Sequence, residues 1–295
     1  MIPNMRYFVV SIVSIFLALA IGIYIGFIID ANDMIVEQKE DIVSKLEEKF
    51  DYLKEENTNL KKEVEILELE NNKYELFSRV AYIEAVKNKL AGVNVAIIET
   101  NDEYIYSGLG KTLEIAGANV KSIITIKDKF LNEELLREIY VNQLGEEKEI
   151  SKNIIENAVK DLSKAIITGE QSETIDGFRE RDLINIVGDI EDPIDYIIIA
   201  GGSDSEDLDR INYLDKNVIN TCKSLEIPII GVEKTKVNFS YTSEYKNFRI
   251  STIDNVDTVM GKVALIMAME GRPGYYGEKP SAESLLPDPN NTILE

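Results

Sequence analysis

The stretch from Tyr7 to Ile29 reads YFVVSIVSIFLALAIGIYIGFII, 23 residues without a charge. At a rise of about 1.5 Å per residue, one helix over this stretch extends about 34 Å and crosses a hydrocarbon core of about 30 Å. Residues 18–20, Ala-Leu-Ala, have the small side chains of a signal cleavage site. The apolar run nevertheless continues far beyond the roughly 7–15 residues of a signal h-region. We therefore predict an uncleaved transmembrane signal anchor at residues 1–30.

No second stretch of membrane length follows, so we predict a protein that crosses the cell membrane once. Counting basic residues does not settle the orientation, because Arg6 precedes the anchor while Lys39 and Lys45 follow it. The residues directly after the anchor are acidic, with Asp30 and Asp33. Long domains that follow an anchor are translocated largely regardless of their charge. We expect a cytoplasmic N-terminus and the bulk of the chain outside the cytoplasm.

A formal net charge of −21 makes the chain strongly acidic. Nucleic acids and anionic lipid surfaces attract clustered lysine and arginine, so this charge argues against both as partners. The absence of histidine removes the commonest metal ligand and the usual general base. One cysteine, Cys222, excludes an internal disulfide framework. We predict a protein that is not an enzyme, has no cofactor and binds no nucleic acid.

A heptad repeat follows the anchor and predicts a coiled-coil stalk at residues 31–91, whose helix runs to Leu90 and ends at Ala91–Gly92. One core position holds Val36, Val43, Phe50, Asn57, Val64 and Asn71, and the other holds Leu46, Leu53, Leu60, Leu67 and Tyr74. A buried asparagine is best satisfied by its own copy across a two-stranded interface, which favours a parallel homodimer in fixed register. The alternative is a solitary amphipathic helix that folds back on the globular domain.

Charges beside the heptad core are mismatched in the distal half of the stalk. In a parallel dimer, Glu56 of one helix attracts Lys61 of the other. One heptad further on, Glu63 of one helix repels Glu68 of the other. We expect the distal half to be weaker or to contact a different partner, such as another envelope protein.

From residue 92 to residue 270 the pattern is that of an α/β domain. Predicted strands cover Val93–Glu99, Val120–Ile126, Asp195–Ala200 and Ile227–Val232. Predicted helices cover Gly110–Ala116, Asn132–Tyr140, Lys152–Ile167, Asp204–Leu225 and Asp257–Glu270. This alternation favours a mainly parallel sheet covered on both faces, Rossmann-like or flavodoxin-like. Residues 169–192 give mixed signals. The Pro- and Gly-containing residues 271–295 predict an extended tail that wraps the domain or reaches outward.

A glycine-rich turn follows the buried run at residues 196–200. Gly201, Gly202 and Ser203 occupy the place where an α/β sheet holds ligands, at the carboxyl end of a strand. The turn lacks both the GxGxxG pattern and a Walker lysine, and Asp204 and Asp207 beside it would repel a phosphate. A tight turn with Ser203 or Asp204 as a helix cap is the competing interpretation.

Soft-metal ligands are sparse in this chain. Cys222 has no histidine beside it and is predicted to be a buried helix residue. Met267 and Met269 are two positions apart on a predicted helix, so their side chains point about 200° apart and cannot chelate one ion. Core packing is the interpretation favoured for Met260 and Met267. No metal site is predicted.

Three stretches resemble the MctB-like family of bacterial copper transport proteins. Residues 4–7 (NMRY) with 16–26 (FLALAIGIYIG) resemble the family's anchor, and 254–258 (DNVDT) with 261–265 (GKVAL) resemble the segment that opens its last helix. The third stretch is GRPGYYG at residues 271–277, which ends in SLLP at 284–287 and is similar to the family's C-terminal signature. The resemblance implies a membrane-anchored envelope protein with a role in copper transport or homeostasis. No metal-binding residue can be transferred with it, so a non-enzymatic envelope scaffold that positions cell-wall or division partners is the alternative.

Overall fold

The computed structural model describes residues 5–144 and 153–288. The chain divides into two compact units, Met1–Glu75 and Leu76–Glu295. Helix α1 (Met5–Val86) supplies the first unit and continues into the second. Its segment Arg6–Ile29, with a mean hydropathy of 2.8, is the one helix in the described part of the chain that is long and apolar enough to cross a membrane.

The heptad positions of α1 are exposed in the single chain. Their apolar side chains are 52–69% accessible from Val43 to Tyr74, including Phe50 and Leu60. The side chain of Val36 lies outside the described part of the structure. A continuous helix with an exposed apolar stripe is the form that a coiled-coil strand takes without its partner, and pairing with a second copy stays a prediction.

Helix α1 ends earlier than the sequence pattern predicted. We expected it to run to Leu90 and to end at Ala91–Gly92, but its last residue is Val86. Asn88 adopts a left-handed backbone conformation with φ of 59°, which an α-helix cannot continue. The Leu90 N–H then donates to the Ala116 carbonyl, so the chain turns toward the sheet.

The second unit contains seven strands and eight further helices among its described residues. The strands are β1 (Asn94–Glu99), β2 (Asn119–Ile126), β3 (Ile184–Gly188), β4 (Tyr196–Ala200), β5 (Ile229–Val232), β6 (Ser251–Ile253) and β7 (Tyr275–Tyr276). The helices are α2 (Ser107–Ile115), α3 (Glu133–Leu144), α4 (Ile154–Thr168), α5 (Glu173–Glu180), α6 (Leu208–Arg210), α7 (Lys216–Ser224), α8 (Thr242–Asn247) and α9 (Val259–Met269). A 3₁₀ turn forms at Asp128–Leu131, and a π-helical turn at Ile211–Asp215 joins α6 to α7.

The seven strands form one sheet in the order β3-β2-β1-β4-β5-β6-β7. Every neighbouring pair is parallel except β2 and β3, which are antiparallel. In the centre of the sheet Ile97 lies opposite Ile123 on one side and Ile198 on the other. The predicted α/β class and mainly parallel sheet are therefore confirmed, while the finer Rossmann-like or flavodoxin-like assignment stays a prediction.

Helices cover both faces of the sheet, because successive strand side chains point to opposite sides. Ile197 and Ile199 of β4 belong to the core beneath α4 and α7. Ile198, the residue between them, belongs to the core that includes α2, α9 and Val86 at the end of α1. The near-continuous apolar run of β4 follows from burial on both faces.

Two segments differ from the sequence-based assignments, and a third, the tail, takes one of the two courses expected for it. Residues 169–192, left unassigned, contain α5 and the edge strand β3. The predicted helix Asp204–Leu225 begins only at Leu208 and contains the π-helical turn. The predicted tail contributes β7 to the sheet edge and forms a bridge from Tyr276 to Ser284, so its described part wraps the domain. Residues 289–295 of the tail, and Lys152 of the predicted helix Lys152–Ile167, lie outside the described residues.

Candidate functional site at the carboxyl edge of the sheet

The strand order reverses between β1 and β4, two neighbouring inner strands of the sheet. Ligands of open α/β sheets bind in the crevice that such a reversal leaves at the carboxyl ends of the strands. Thr100 and Asn101 follow β1 at this edge, and Gly201, Gly202 and Ser203 follow β4. The structure therefore places the glycine-rich turn that the sequence singled out at the reversal point.

Most backbone groups of this turn bond to other parts of the protein. The Gly201 N–H donates to the Val232 carbonyl at 3.0 Å, and the Ser203 N–H donates to the Phe239 carbonyl at 3.0 Å. The Asn101 side-chain amide donates to the Gly202 carbonyl at 2.6 Å, and the Tyr106 hydroxyl donates to the Gly201 carbonyl at 2.5 Å. These bonds connect the ends of neighbouring strands. They leave few backbone groups of the turn free to form hydrogen bonds with a ligand.

Steric constraints favour glycine over other residues at positions 201 and 202. A Cβ on Gly201 would lie 2.2 Å from the Tyr245 hydroxyl, closer than real Cβ atoms approach another atom. Gly202 has φ of 92°, a conformation that strongly favours glycine. The helix that follows is capped by Asp207, whose Oδ1 accepts from the Arg210 N–H at 2.9 Å, rather than by Ser203 or Asp204. The Ser203 hydroxyl instead donates to the Ser205 carbonyl.

A cleft of about 220 Å³ opens beside the turn, lined in part by Asn101, Asp128, Ser203 and Arg210. The Arg210 side chain is only 2% exposed and donates to the Thr100 carbonyl and to the Asp128 carboxylate. It also pairs with Asp207 at 3.4 Å. Its donors are therefore used to join β1 to the 3₁₀ turn, and the surrounding carboxylates make this cleft unfavourable for an anion.

A buried carboxyl group lies behind this cleft. Asp215, in the π-helical turn, is fully buried, and its Oδ2 accepts from the Tyr245 hydroxyl at 2.7 Å. Burial raises the pKa of Asp215 to about 7, while the bond from Tyr245 and the charge of Arg210 oppose the shift. Sequence reasoning missed Asp215 and Arg210, because the residues between them, Ile-Asn-Tyr-Leu, give no local sign that either charged side chain is buried.

A second buried carboxylate fixes the C-terminal segment to the end of β5. Glu233 is 0% exposed and pairs with the Lys279 ammonium at 2.6 Å. The buried Asp254 carboxylate after β6 accepts from the backbone N–H groups of Glu278 and Lys279 at 2.7 and 2.8 Å. The segment 277–279 is thus held by charge-assisted hydrogen bonds at the same edge of the sheet.

The described residues contain no group of three or more His, Cys, Asp or Glu side chains that could hold a metal ion. Cys222 is buried in α7, as predicted, and burial raises the pKa of its thiol to about 12. A thiol that stays protonated is a poor ligand for a soft metal. Met260 is 47% exposed, so the core-packing interpretation is wrong for it, because its position in the first turn of α9 faces solvent.

These features describe a chain in which a helix able to cross a membrane leads to an α/β unit with a buried polar network at the carboxyl edge of its sheet. A family model described as "Copper transport outer membrane protein, MctB" matches residues 1–287. The match covers essentially the whole chain, which therefore belongs to the MctB family, and the predicted resemblance is confirmed. No curated protein matches the chain.

Proposed function

We propose that the chain is a single-pass membrane protein that takes part in copper transport or homeostasis, with its bulk outside the cytoplasm. Family membership over residues 1–287 is the observation that carries the copper assignment. The apolar helix Arg6–Ile29 supports the anchor, since its uninterrupted length suits one crossing of the bilayer. A disulfide-dependent reporter fused to the C-terminus tests the orientation, because it becomes active only outside the reducing cytoplasm.

In this proposal the protein acts on copper indirectly, as a non-enzymatic dimeric scaffold. The exposed heptad side chains of α1, such as Leu53 and Leu60, offer an apolar stripe to a second copy in parallel register. The protonated thiol of the buried Cys222 would not supply the thiolate that tight Cu(I) binding uses. A scaffold that positions a transporter or another envelope protein requires neither a metal site nor catalytic groups.

A deletion strain tests the copper role. We expect it to become copper-sensitive and to recover when the wild-type chain is restored. A chain with Leu60→Glu in the heptad core should fail to restore tolerance, whereas Lys62→Glu, on the opposite face of the same helix turn, should succeed. Unchanged copper tolerance of the deletion strain would contradict the proposal.

The second candidate is a scaffold for cell-wall or division partners without a role in copper. The observation that favours it is the unpartnered heptad stripe, together with the mismatch between Glu63 and Glu68 beside it, both of which serve recognition rather than transport. The same deletion strain distinguishes the two candidates, since this one predicts a cell-separation defect at normal copper tolerance.

A further inference from the structure

We propose that a second cleft, between α2 and α9, binds a small organic anion, a molecule with a carboxylate or phosphate group on a short apolar body. The cleft has a volume of about 190 Å³. Two lysines, Lys234 and Lys262, line it together with Tyr106, Leu109 and Val256. It lies at the carboxyl edge of the sheet but is separate from the cleft beside the glycine-rich turn, with which it shares no lining residue.

Neither lysine forms an ion pair with a carboxylate of the described residues, although the chain carries a net charge of −21. Some lysines at the surface of the second unit do pair closely, as Lys89 does with Glu270 at 2.8 Å. The Lys234 ammonium instead lies 5.4 Å from the centroid of the Tyr106 ring. Two ammonium groups without an ion-pair partner in one concave site attract an anion.

The position of Lys262 opposes the stability of its helix. Helix α9 begins at Val259, with Thr258 as its cap, so Lys262 lies in the first turn. A cation there faces the positive end of the helix dipole, which destabilises the helix. The same dipole favours an anion in the cleft, so a ligand would remove the conflict.

The loop that carries Lys234 is held in place from both sides. Glu233 pairs with Lys279, whose ammonium also donates to the Lys234 carbonyl at 3.0 Å. On the other side, Asp257 Oδ1 accepts from both the N–H and the hydroxyl of Thr235, at 2.8 and 2.9 Å. Lys234 is therefore presented by a fixed backbone, which lowers the entropic cost of binding.

The remaining lining sets the ligand class. Asp257 is the one carboxylate in the lining, so two ammonium groups stand against one carboxylate and the lining has a net charge of about +1. Leu109 and Val256 are buried and apolar, and Ile105 at the rim is 68% exposed. Apolar walls with a few convergent charged groups suit a compact organic anion better than a bare inorganic ion.

Equilibrium dialysis of the full-length protein in detergent tests the proposal, with protein-free micelles as the blank. The probes are benzoate, phenyl phosphate and the neutral benzamide at constant ionic strength. We expect saturable binding of at least one anionic probe, at one per chain and at least about tenfold tighter than benzamide, because only an anion adds attraction between opposite charges to the hydrogen bonds from the lysines. The preferred probe then identifies carboxylate or phosphate as the recognised group.

A double variant, Lys234→Gln with Lys262→Gln, should weaken binding of that probe at least about tenfold without lowering the unfolding temperature, because both side chains are partly exposed and Lys262→Gln removes a cation from the positive end of the helix dipole. Lys236→Gln removes an exposed charge from the same loop outside the cleft and should leave binding unchanged. The proposal is overturned by equal binding of benzoate, phenyl phosphate and benzamide, by no saturable binding, or by equal effects of the double variant and Lys236→Gln.

Discussion

The Tyr245 hydroxyl donates a 2.7 Å hydrogen bond to Oδ2 of Asp215, and both side chains are fully buried. The Tyr245 side chain also fills the space beside Gly201 and Gly231, where added Cβ atoms would lie 2.2 Å from its hydroxyl and 2.3 Å from its ring. This pair therefore connects the π-helical turn to the ends of β4 and β5. The carboxyl edge of the sheet depends on a buried ionisable group.

Asp215→Asn should stabilise the protein increasingly as pH rises. Burial raises the folded-state pKa of Asp215 from 3.8 to about 7, so the folded protein keeps a proton that the unfolded chain loses between about pH 4 and pH 7. The free energy of unfolding therefore falls through that window in the wild type. The pH-dependent increase in the free energy of unfolding on Asp215→Asn should be absent below about pH 4 and reach an order of 2–4 kcal/mol above pH 7. Any further difference between the two proteins should be the same at every pH.

Urea unfolding at pH 5 and pH 8, followed by near-ultraviolet circular dichroism, measures this difference. Asp209→Asn is the matched control, because Asp209 is exposed on the same helical stretch. A pH-independent difference between Asp215→Asn and the wild type would show that Asp215 titrates normally.

Lys279→Met should destabilise the protein by about 3–5 kcal/mol, because it leaves the buried Glu233 carboxylate without its counter-charge. Adding Glu233→Gln should recover part of that loss, since the uncompensated charge is then absent. Glu283→Gln breaks the exposed pair with Lys246 in the same segment and should cost less than about 1 kcal/mol. Chemical denaturation compares the variants, and equal losses for Lys279→Met and Glu283→Gln would contradict the buried role of the first pair.

Gly201→Ala and Gly110→Ala should have opposite effects on stability. A Cβ at Gly201 meets the Tyr245 hydroxyl and the Tyr241 ring, both in the buried core, so we expect a loss of about 1–3 kcal/mol or more. A Cβ at Gly110 meets nothing within 4 Å, and alanine in a helix gains about 0.5–1 kcal/mol over glycine. Thermal unfolding of the two variants should shift in opposite directions; a stable Gly201→Ala protein would mean that Tyr245 can move away.

Cysteine crosslinking tests the predicted parallel dimer. In a Cys222→Ser background, Leu53→Cys should form a covalent dimer in membranes, because this heptad position faces its own copy across the interface. Glu55→Cys, on the outer face of the same turn, should crosslink much less. A monomeric Leu53→Cys product under native conditions would refute the stalk.

Local patterns predicted most elements of the fold. The four strands β1, β2, β4 and β5 lie within two residues of their predicted limits, because runs such as residues 196–200 are apolar at every position. Strand β7 has two residues and β6 has three, too few for periodicity to detect. Both depend on pairing with a neighbour, which a sequence pattern does not contain.

The candidate sites were only partly predictable for a similar reason. The turn Gly201–Ser203 has a local glycine signal, and the structure places it at the reversal of strand order. Lys234 and Lys262 are 28 positions apart, and nothing in either local sequence indicates that they line one cleft. Glu233 and Lys279 are likewise joined only by the order of the strands, so their pairing could not be predicted.

A Cu(I) titration of the full-length protein tests the central claim most directly, since the proposal separates a role in copper homeostasis from copper binding by this chain. Under reducing conditions and against a competing Cu(I) chelator, we expect no stoichiometric binding, and we expect Cys222→Ser to restore copper tolerance to a deletion strain as well as the wild type does. One tightly held Cu(I) per chain that is lost on Cys222→Ser would contradict the scaffold account and make the chain a direct copper carrier.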